Sequence, residues 1–203
     1  LLFNMHHIIS DAWSLGLLAD DVLKLYNSYA AGGADKLPPL PIQYADFAVW
    51  QRQWLQGGAL EALLAYWRKQ LAGVPVLELP TDYPRPAILS YRGAILSSAL
   101  PGDLMERLTR LSNREGVTRF MTLLAAFQVL LQRYTGQEDV AIGVPIANRN
   151  WLATESVVGS FVNTVVVRTD LSGDPTVREL LRRVREAALG AYAHQDMPYA
   201  KLI

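Results

Sequence analysis

Apolar residues recur at three- and four-residue steps along the first third of the chain, which is the pattern of helices with one buried face. The first of these predicted helices follows Ser14 and ends at Gly32 and Gly33. Two more are expected after the proline-rich loop Lys36–Gln43, which cannot itself be helical. The apolar positions of the three predicted faces are Leu15, Leu18, Val22, Leu25 and Tyr29; Tyr44, Phe47, Trp50 and Trp54; and Leu60, Leu63, Leu64, Trp67 and Leu71.

The stretch Gly73–Pro86 interrupts this pattern, since it holds four prolines and no helical period. Such a composition is typical of a connection between two compact parts of a chain. We therefore expect a boundary between two lobes near residue 80.

Short runs of apolar and β-branched residues predict strands. We expect one at the opening of the chain, Leu1–Met5, and one at Tyr91–Leu100. A short buried strand is expected at Val140–Val144, and a longer one at Phe161–Thr169.

The second half of the sequence also predicts three helices. One spans about Asp103–Glu115. Another begins at Thr118 and is apolar nearly all round, which indicates deep burial. The last opens with the capping box Thr176–Glu179, and its inward positions are Val177, Leu180, Leu181, Val184 and Ala188. Because strands and helices mix without a regular βαβ repeat or a glycine-rich phosphate loop, we expect a layered α/β or α+β sandwich.

Composition narrows the classes of protein. The 203 residues include 19 basic and 19 acidic side chains, which disfavours nucleic acid or an anionic membrane surface as the main partner. There is no cysteine, so disulfides and thiolate zinc sites are excluded and a reducing cytoplasm is the expected compartment. The most apolar run, Phe120–Leu131, is shorter than the roughly 20 residues that cross a bilayer.

The segment HHIISDAWS holds the strongest candidate chemistry, because His7 and Asp11 lie four residues apart at a predicted helix start. The imidazole could act as a general base, bind a metal ion, or belong to a structural histidine pair. A metal site is disfavoured, since adjacent histidines diverge and no third nitrogen ligand lies at a helical offset. No GxSxG motif and no thiol is present, so a catalytic His7 would act on a nucleophile supplied by the substrate, in group transfer to an amine or a hydroxyl.

Four segments together resemble one family. HHIISDAWS resembles the HHxxxDG signature of condensation domains from non-ribosomal peptide synthetases, within the chloramphenicol acetyltransferase-like superfamily. Three further segments are similar to condensation-domain motifs in the same order: YADFAVWQ (Tyr44–Gln51), VVGSFVNTVVVR (Val157–Arg168) and HQDMPYAKL (His194–Leu202). The resemblance implies an α/β fold, a two-lobe chloramphenicol acetyltransferase-like sandwich with a mixed sheet, incomplete at both ends. Residues 1–80 would be the end of the N-terminal lobe, and residues 81–203 a partial C-terminal lobe.

The resemblance also implies a reaction. A carrier-bound aminoacyl or peptidyl thioester donor would react with the amine of a carrier-bound aminoacyl acceptor to form an amide bond. The substrates would arrive on phosphopantetheine arms of upstream and downstream peptidyl carrier domains, next to an adenylation domain, and no cofactor would bind to this domain directly. His7 matches the catalytic histidine of the family. Asp11 matches an aspartate with a structural role, an ion pair with an upstream arginine that this sequence lacks, so we expect Asp11 to be unpaired.

Other positions are candidates for contact with the substrates. His6, Ala12 and Asn163 are expected along the substrate passage, although a structural role is favoured for His6 and is equally open for Asn163. Asn163 lies mid-strand and should therefore have a hydrogen-bond partner. Ala12 replaces the motif glycine, which introduces strain if the backbone there needs a positive φ, or a slightly narrower passage if only space is needed. Ala200 replaces the glutamate of the last motif.

Two alternative functions remain open from the sequence. One is a stand-alone acyltransferase of the same superfamily that uses coenzyme A thioesters. The other is a catalytically idle domain that docks carriers or recruits a partner enzyme. We further expect the isolated 203-residue piece to be inactive and poorly soluble.

Overall fold

A computed structural model describes residues 2–34, 37–88, 90 and 92–202. In this part of the chain the helices are α1 (Ala12–Ala30), α2 (Tyr44–Trp54), α3 (Gly57–Leu71), α4 (Gly102–Arg114), α5 (Arg119–Thr135) and α6 (Val177–Ala193). The strands are β1 (Asp139–Ile146) and β2 (Asn163–Asp170), and short 3₁₀ helices span Leu152–Thr154 and Tyr199–Lys201. The mixed α/β class is confirmed, and all six predicted helices are present.

The chain forms two compact units. The first comprises the residues up to Lys69, Val144–Val165 and the residues from His194 onward. The second comprises Gln70–Gly143 and Val166–Ala193. The predicted division of the sequence into two lobes at residue 80 stays a prediction.

Side-chain caps fix where the helices begin. The Asp11 carboxylate accepts a hydrogen bond from the N–H of Ser14 (2.8 Å) and so caps α1. Thr118 caps α5 in the same way, through the N–H of Met121 (3.1 Å). Gly136 ends α5 with φ 72°, a left-handed conformation that only glycine adopts without cost.

The first unit has a compact aromatic core. Phe47 of α2 packs against Phe161, with 4.8 Å between the ring centroids. Val157 completes the buried cluster, and Tyr44 and Trp50 of α2 pack around it. The structure therefore buries most of the predicted face of α2, whereas Trp54 at the end of the helix is 36% exposed.

The second unit is built around α5, which packs against α4 and α6. In β2 the buried residues alternate, with Val167 and Thr169 both inside, as a half-covered strand requires. The N–H of Leu171 donates to the carbonyl of Glu138 (2.7 Å), which places the end of β2 beside the start of β1. The two-stranded sheet is therefore antiparallel, whereas the sequence predicted a mixed sheet.

Arg168 connects the sheet to the end of α3. Its guanidinium pairs with Asp139 of β1 (2.6 Å) and donates to the carbonyls of Gln70 and Ala72 (2.8 and 2.9 Å). The hydrogen bond and the charge of Asp139 outweigh desolvation and raise the pKa of Arg168 above its ordinary value. This motif arginine therefore satisfies carbonyls that the helix itself leaves free.

Two predicted strands are wrong, and one helix is less buried than expected. Residues 92–100 are not a strand, and Ile95 and Leu96 are 95% and 97% exposed. A strand needs a neighbouring strand to bond its backbone groups, and no described segment pairs with residues 92–100. The predicted first residue of this strand, Tyr91, lies outside the described residues. Residues 2–6 are likewise not a strand, and the predicted first residue Leu1 also lies outside the described part. In α5 one side is exposed: Phe120, Leu123, Phe127 and Leu130.

No helix in the described part of the chain is long and apolar enough to cross a membrane.

Candidate functional site

The HHIISDAWS segment changes from exposed to buried within a few residues. The N–H of Ile8 donates to His6 Nδ1 (3.0 Å), and the N–H of Ile9 donates to the His6 carbonyl (3.1 Å), so the segment forms a tight turn. The side chains of His6 and His7 are exposed on this turn, whereas Ser10 and Asp11 are buried. The predicted catalytic imidazole of His7 is therefore open to a partner, on a turn whose far end is anchored.

The anchor is the Asp11 carboxylate. Its Oδ1 accepts hydrogen bonds from the N–H and the hydroxyl of Ser14 (2.8 and 2.7 Å), and its Oδ2 accepts one from the N–H of Phe161 (3.1 Å). Arg149 Nη2 lies 3.1 Å from Oδ1 and 3.3 Å from Oδ2. Asp11 thus joins the start of α1 to two segments that lie far along the chain.

Arg149 is the partner that the sequence did not reveal. The side chains of Arg149 and Asp11 are only 1% and 5% exposed. The expectation that Asp11 is unpaired is wrong, because this arginine lies downstream and not upstream of it. Nothing in the spacing of the sequence links two residues 138 positions apart.

Arg149 also contacts backbone carbonyls and an aromatic ring. Its Nη1 donates to the carbonyls of Thr154 and Val157, the latter at 2.7 Å. The guanidinium carbon lies 4.1 Å from the ring centroid of Phe161, a cation–π arrangement. The buried charge is therefore paired and hydrogen-bonded, as a charge inside a protein must be.

The pKa of Asp11 lies below its ordinary value of 3.8. Burial raises this pKa, but the hydrogen bonds from Ser14 and Phe161 and the charge of Arg149 together outweigh burial. Asp11 is therefore ionised at neutral pH. Burial, together with the negative charge of Asp11, in turn raises the pKa of the nearby Tyr44 hydroxyl.

The Ser14 hydroxyl links the first motif to the third. Its oxygen accepts hydrogen bonds from the N–H of Gly159 (3.0 Å) and from Arg149 Nη2 (3.0 Å). Its single proton has two acceptors within reach, Asp11 Oδ1 (2.7 Å) and the Gly159 carbonyl (2.9 Å). Sequence reasoning did not select Ser14, which is one of many serines in the chain.

Tyr44 links the second motif to the third. Its ring lies so close to Gly159 that a Cβ added there would overlap the ring. Its hydroxyl donates to the Ser160 carbonyl (2.9 Å), and its ring meets Phe161 edge to face at 5.0 Å. Position 159 therefore needs glycine because of space.

Asn163 links the third motif to the fourth. Its Nδ2 donates to the carbonyls of Gln195 and Met197 (both 2.8 Å), and its Oδ1 accepts from the N–H of Tyr199 (3.0 Å). Asn163 is the first residue of β2 and does not lie mid-strand as predicted, but the prediction that it has hydrogen-bond partners is confirmed. These three bonds are with backbone groups, while contact between Asn163 and a substrate stays a prediction.

The substitutions Ala12 and Ala200 fall at different kinds of position. Ala12 is the first residue of α1, and the non-glycine residues with positive φ in the described part of the chain are Asn148 and Asp174. Alanine is therefore not strained at position 12, and of the two alternatives only the effect of its methyl group on space remains. Ala200 is exposed in the 3₁₀ helix Tyr199–Lys201.

Ala12 lines an open groove of about 500 Å³, together with Trp13, Gly16, Leu17, Asp20, Glu155 and Ser156.

The arrangement favours proton transfer over covalent catalysis. The exposed imidazole of His7 can exchange a proton with a bound molecule. The Ser14 hydroxyl is buried and fully engaged in hydrogen bonds, so it is no free nucleophile. In the described part of the chain, no group of three or more histidine and carboxylate side chains is arranged to hold a metal ion.

Comparison with known proteins gives the same family as the resemblance of the sequence motifs. A family model described as "Condensation domain" matches residues 1–203. One of the linear gramicidin synthase proteins of Brevibacillus parabrevis is 55% identical over 203 residues, which are 100% of this chain and 4% of that protein. The chain therefore spans a small part of the length of this curated relative.

Two solved structures have a similar fold. The X-domain in its complex with OxyB from teicoplanin biosynthesis has a TM-score of 0.88 and 33% identity, over 98% of this chain and 45% of that one. The first condensation domain of the CDA synthetase has a TM-score of 0.81 at 22% identity, over 97% of this chain and 44% of that one. The latter likeness concerns the fold alone.

Proposed function

Since the chain belongs to the condensation domain family, we propose that it forms an amide bond between a carrier-bound aminoacyl or peptidyl thioester and the amine of a carrier-bound aminoacyl acceptor. Condensation domains of non-ribosomal peptide synthetases carry out this type of acyl transfer. In this proposal the two substrates arrive on phosphopantetheine arms of upstream and downstream peptidyl carrier domains, beside an adenylation domain, in the cytoplasm. The domain itself holds no cofactor.

The observation that carries the proposal is the exposed His7 on a turn anchored by the buried pair of Asp11 and Arg149. The acceptor amine attacks the thioester carbonyl carbon, the new C–N bond forms and the C–S bond breaks. The proton lost by the amine passes to His7, which returns it to the departing thiolate. Because an α-amine has a pKa near 8, an appreciable fraction is already neutral at cellular pH. The main work of His7 is therefore to orient the amine and to accept its proton as the adduct forms.

The neighbouring residues support this step in different ways. His6 Nδ1 accepts the N–H of Ile8, so a neutral His6 carries its proton on Nε2 and can donate it to a substrate group. Ala12 contributes a wall of the groove along α1. Asn163 acts by holding the backbone of residues 195–199, which would form part of the substrate passage.

The test is a reconstituted reaction with the full-length protein that contains this chain. Donor and acceptor carriers are loaded, and the phosphopantetheine arms are analysed by mass spectrometry. We expect the amide product on the downstream carrier with the wild type and a strong loss with His7→Ala. The exposed variant Arg110→Ala should retain the wild-type yield. Product formed only from a coenzyme A thioester donor would instead support a stand-alone acyltransferase.

A second candidate function is a domain that recruits a partner enzyme without catalysis. The observation that favours it is the similarity to the X-domain, whose structure was solved in complex with OxyB. Equal product yields from the wild type and His7→Ala, together with retained carrier binding, would support this candidate over condensation.

A further inference from the structure

We infer that Ser14 is a positioning residue for His7, acting through the hydrogen bonds of its hydroxyl to Asp11 and to the backbone of Gly159. This inference rests on the proposed function, because it assigns a role in the reaction that His7 is proposed to carry out. Ser14 does not itself reach the surface, since it is 0% exposed.

Several polar groups meet at the single oxygen of the Ser14 side chain. Gly159 uses both its N–H and its carbonyl on Ser14 Oγ, at 3.0 and 2.9 Å. Arg149 Nη2 donates to the same oxygen at 3.0 Å, and Asp11 Oδ1 lies 2.7 Å away. The hydroxyl is thus a side-chain link between the first turn of α1 and the backbone at position 159.

The two sides of this link differ in their freedom to move when the hydroxyl is removed. Gly159 is confined, because the ring of Tyr44 fills the space where a side chain would stand. Asp11 keeps its bonds to the N–H of Ser14 and of Phe161, so the charge pair with Arg149 persists. The N–H of Gly159 then lacks a partner, and because the Tyr44 ring holds Gly159 in place, the start of α1 shifts within the remaining contacts of Asp11.

A short connection carries such a shift to His7. Only three residues separate His7 from Asp11, and the first two of them, Ile8 and Ile9, belong to the tight turn that the Ile9 N–H closes on the His6 carbonyl. A movement of the Asp11 anchor is consequently passed to the turn that carries the imidazole. Since small displacements of a group in the reacting geometry cost up to about a hundredfold in rate, the turnover rate should respond strongly.

The chain offers a matched control in Ser112. This serine is also buried, at 1% exposed, and its hydroxyl is also engaged, with the Leu108 carbonyl (2.8 Å) and Thr122 Oγ1 (2.7 Å). It belongs to the second compact unit and has no bond to the His7 turn. Ser112→Ala therefore reproduces the loss of a buried hydroxyl without the proposed link.

The experiment measures condensation by the full-length protein with both carriers loaded. We expect Ser14→Ala to lower kcat by about 10- to 100-fold, with the KM for the acceptor carrier changed less than about twofold. Ser112→Ala should leave kcat within about twofold of the wild type. Both variants should lower the melting temperature by a similar few degrees, because each removes the hydrogen bonds of one buried hydroxyl.

A double-mutant cycle separates positioning from general damage. If Ser14 acts through His7, then Ser14→Ala causes no further loss of rate in a His7→Ala background. The same fold loss in both backgrounds would overturn the inference, and so would equal values of kcat for Ser14→Ala and Ser112→Ala. Ser14→Cys, whose thiol is somewhat larger than the hydroxyl but a much weaker hydrogen-bonding group, provides the comparison if the alanine variant does not fold.

The outcome also distinguishes this inference from the function on which it rests. A wild-type rate in His7→Ala would remove the proposed function itself. A slow His7→Ala together with a fast Ser14→Ala would leave the function in place and reject only the role of Ser14.

Discussion

Replacing Asp11 by alanine should be among the most destabilising single changes in the first compact unit. The substitution leaves the guanidinium of Arg149 buried at 1% exposure, without its counter-charge. The bonds from Arg149 Nη1 to the carbonyls of Thr154 and Val157 remain, but they do not neutralise the charge. Breaking a buried pair in this way typically costs about 3–5 kcal/mol of unfolding free energy.

An exposed ion pair in α4 supplies the comparison. The Glu106 and Arg110 side chains are 76% and 69% exposed and 3.8 Å apart. Pairs of this kind contribute at most about 1 kcal/mol, so Glu106→Ala should have a small effect. Denaturant unfolding at pH 7 measures both variants and the double variant Asp11→Ala with Arg149→Met. The double variant should recover part of the loss, because it no longer buries an unpaired charge. Equal effects of Asp11→Ala and Glu106→Ala would refute this reasoning.

The pH dependence provides a second test of the same pair. The folded-state pKa of Asp11 is lowered, so its contribution to stability is fully present above its ordinary, unfolded pKa of 3.8. That contribution is lost as the pH falls through the lower folded-state pKa. The stability difference between the wild type and Asp11→Asn should therefore be constant near neutral pH and shrink only below about pH 4. A difference that begins to shrink near pH 6 would contradict the assignment.

Three further predictions concern other contacts. Gly159→Ala places a methyl group against the ring of Tyr44 and should lower the free energy of unfolding, measured with denaturant, by about 1–3 kcal/mol. Adding Tyr44→Leu should restore part of this loss. An unchanged stability of Gly159→Ala would contradict the close contact. In Asn163→Asp a carboxylate oxygen, which only accepts hydrogen bonds, replaces the amide group that donates to two backbone carbonyls. This variant should therefore lower the melting temperature more than Asn163→Ala. The reverse order would count against the hydrogen bonds. The pKa of Glu179 is lowered to about 2, mainly by the hydrogen bond from Arg182. Arg182→Gln should therefore raise the titration midpoint of Glu179, measured by NMR, toward 4.5. A midpoint near 4.5 in the wild type would refute the pairing.

The sequence predicts the helices well, because their signals are local. The face of α2, for example, follows from the spacing of its aromatic residues, and Phe47 is indeed buried. The caps at Asp11 and Thr118 likewise need only the residues beside them. Ile95 and Leu96 show the limit of this reasoning, because an apolar run becomes a strand only where another strand pairs with it.

The candidate site was predictable only in part. His7 and Asp11 can be recognised in the sequence as parts of a motif, whereas the residues that contact them in the fold cannot. The pairing of Asp11 with Arg149 and the link from Ser14 to Gly159 join residues that lie 138 and 145 positions apart. Local periodicity carries no information on such pairs, since charge partners are decided by the fold. Gly159 could have been noticed as a glycine beside a predicted strand, where a close approach by another group is a common reason for that residue.

The most direct test of the central claim is the single-turnover rate of amide formation with both carriers loaded, measured for the wild type and His7→Ala in the full-length protein. Loss of a general base typically lowers a rate by about 10²–10⁴-fold, and we predict a loss in this range with little change in stability, because His7 is exposed. A rate for His7→Ala within about twofold of the wild type would contradict the claim that this imidazole handles the proton of the attacking amine.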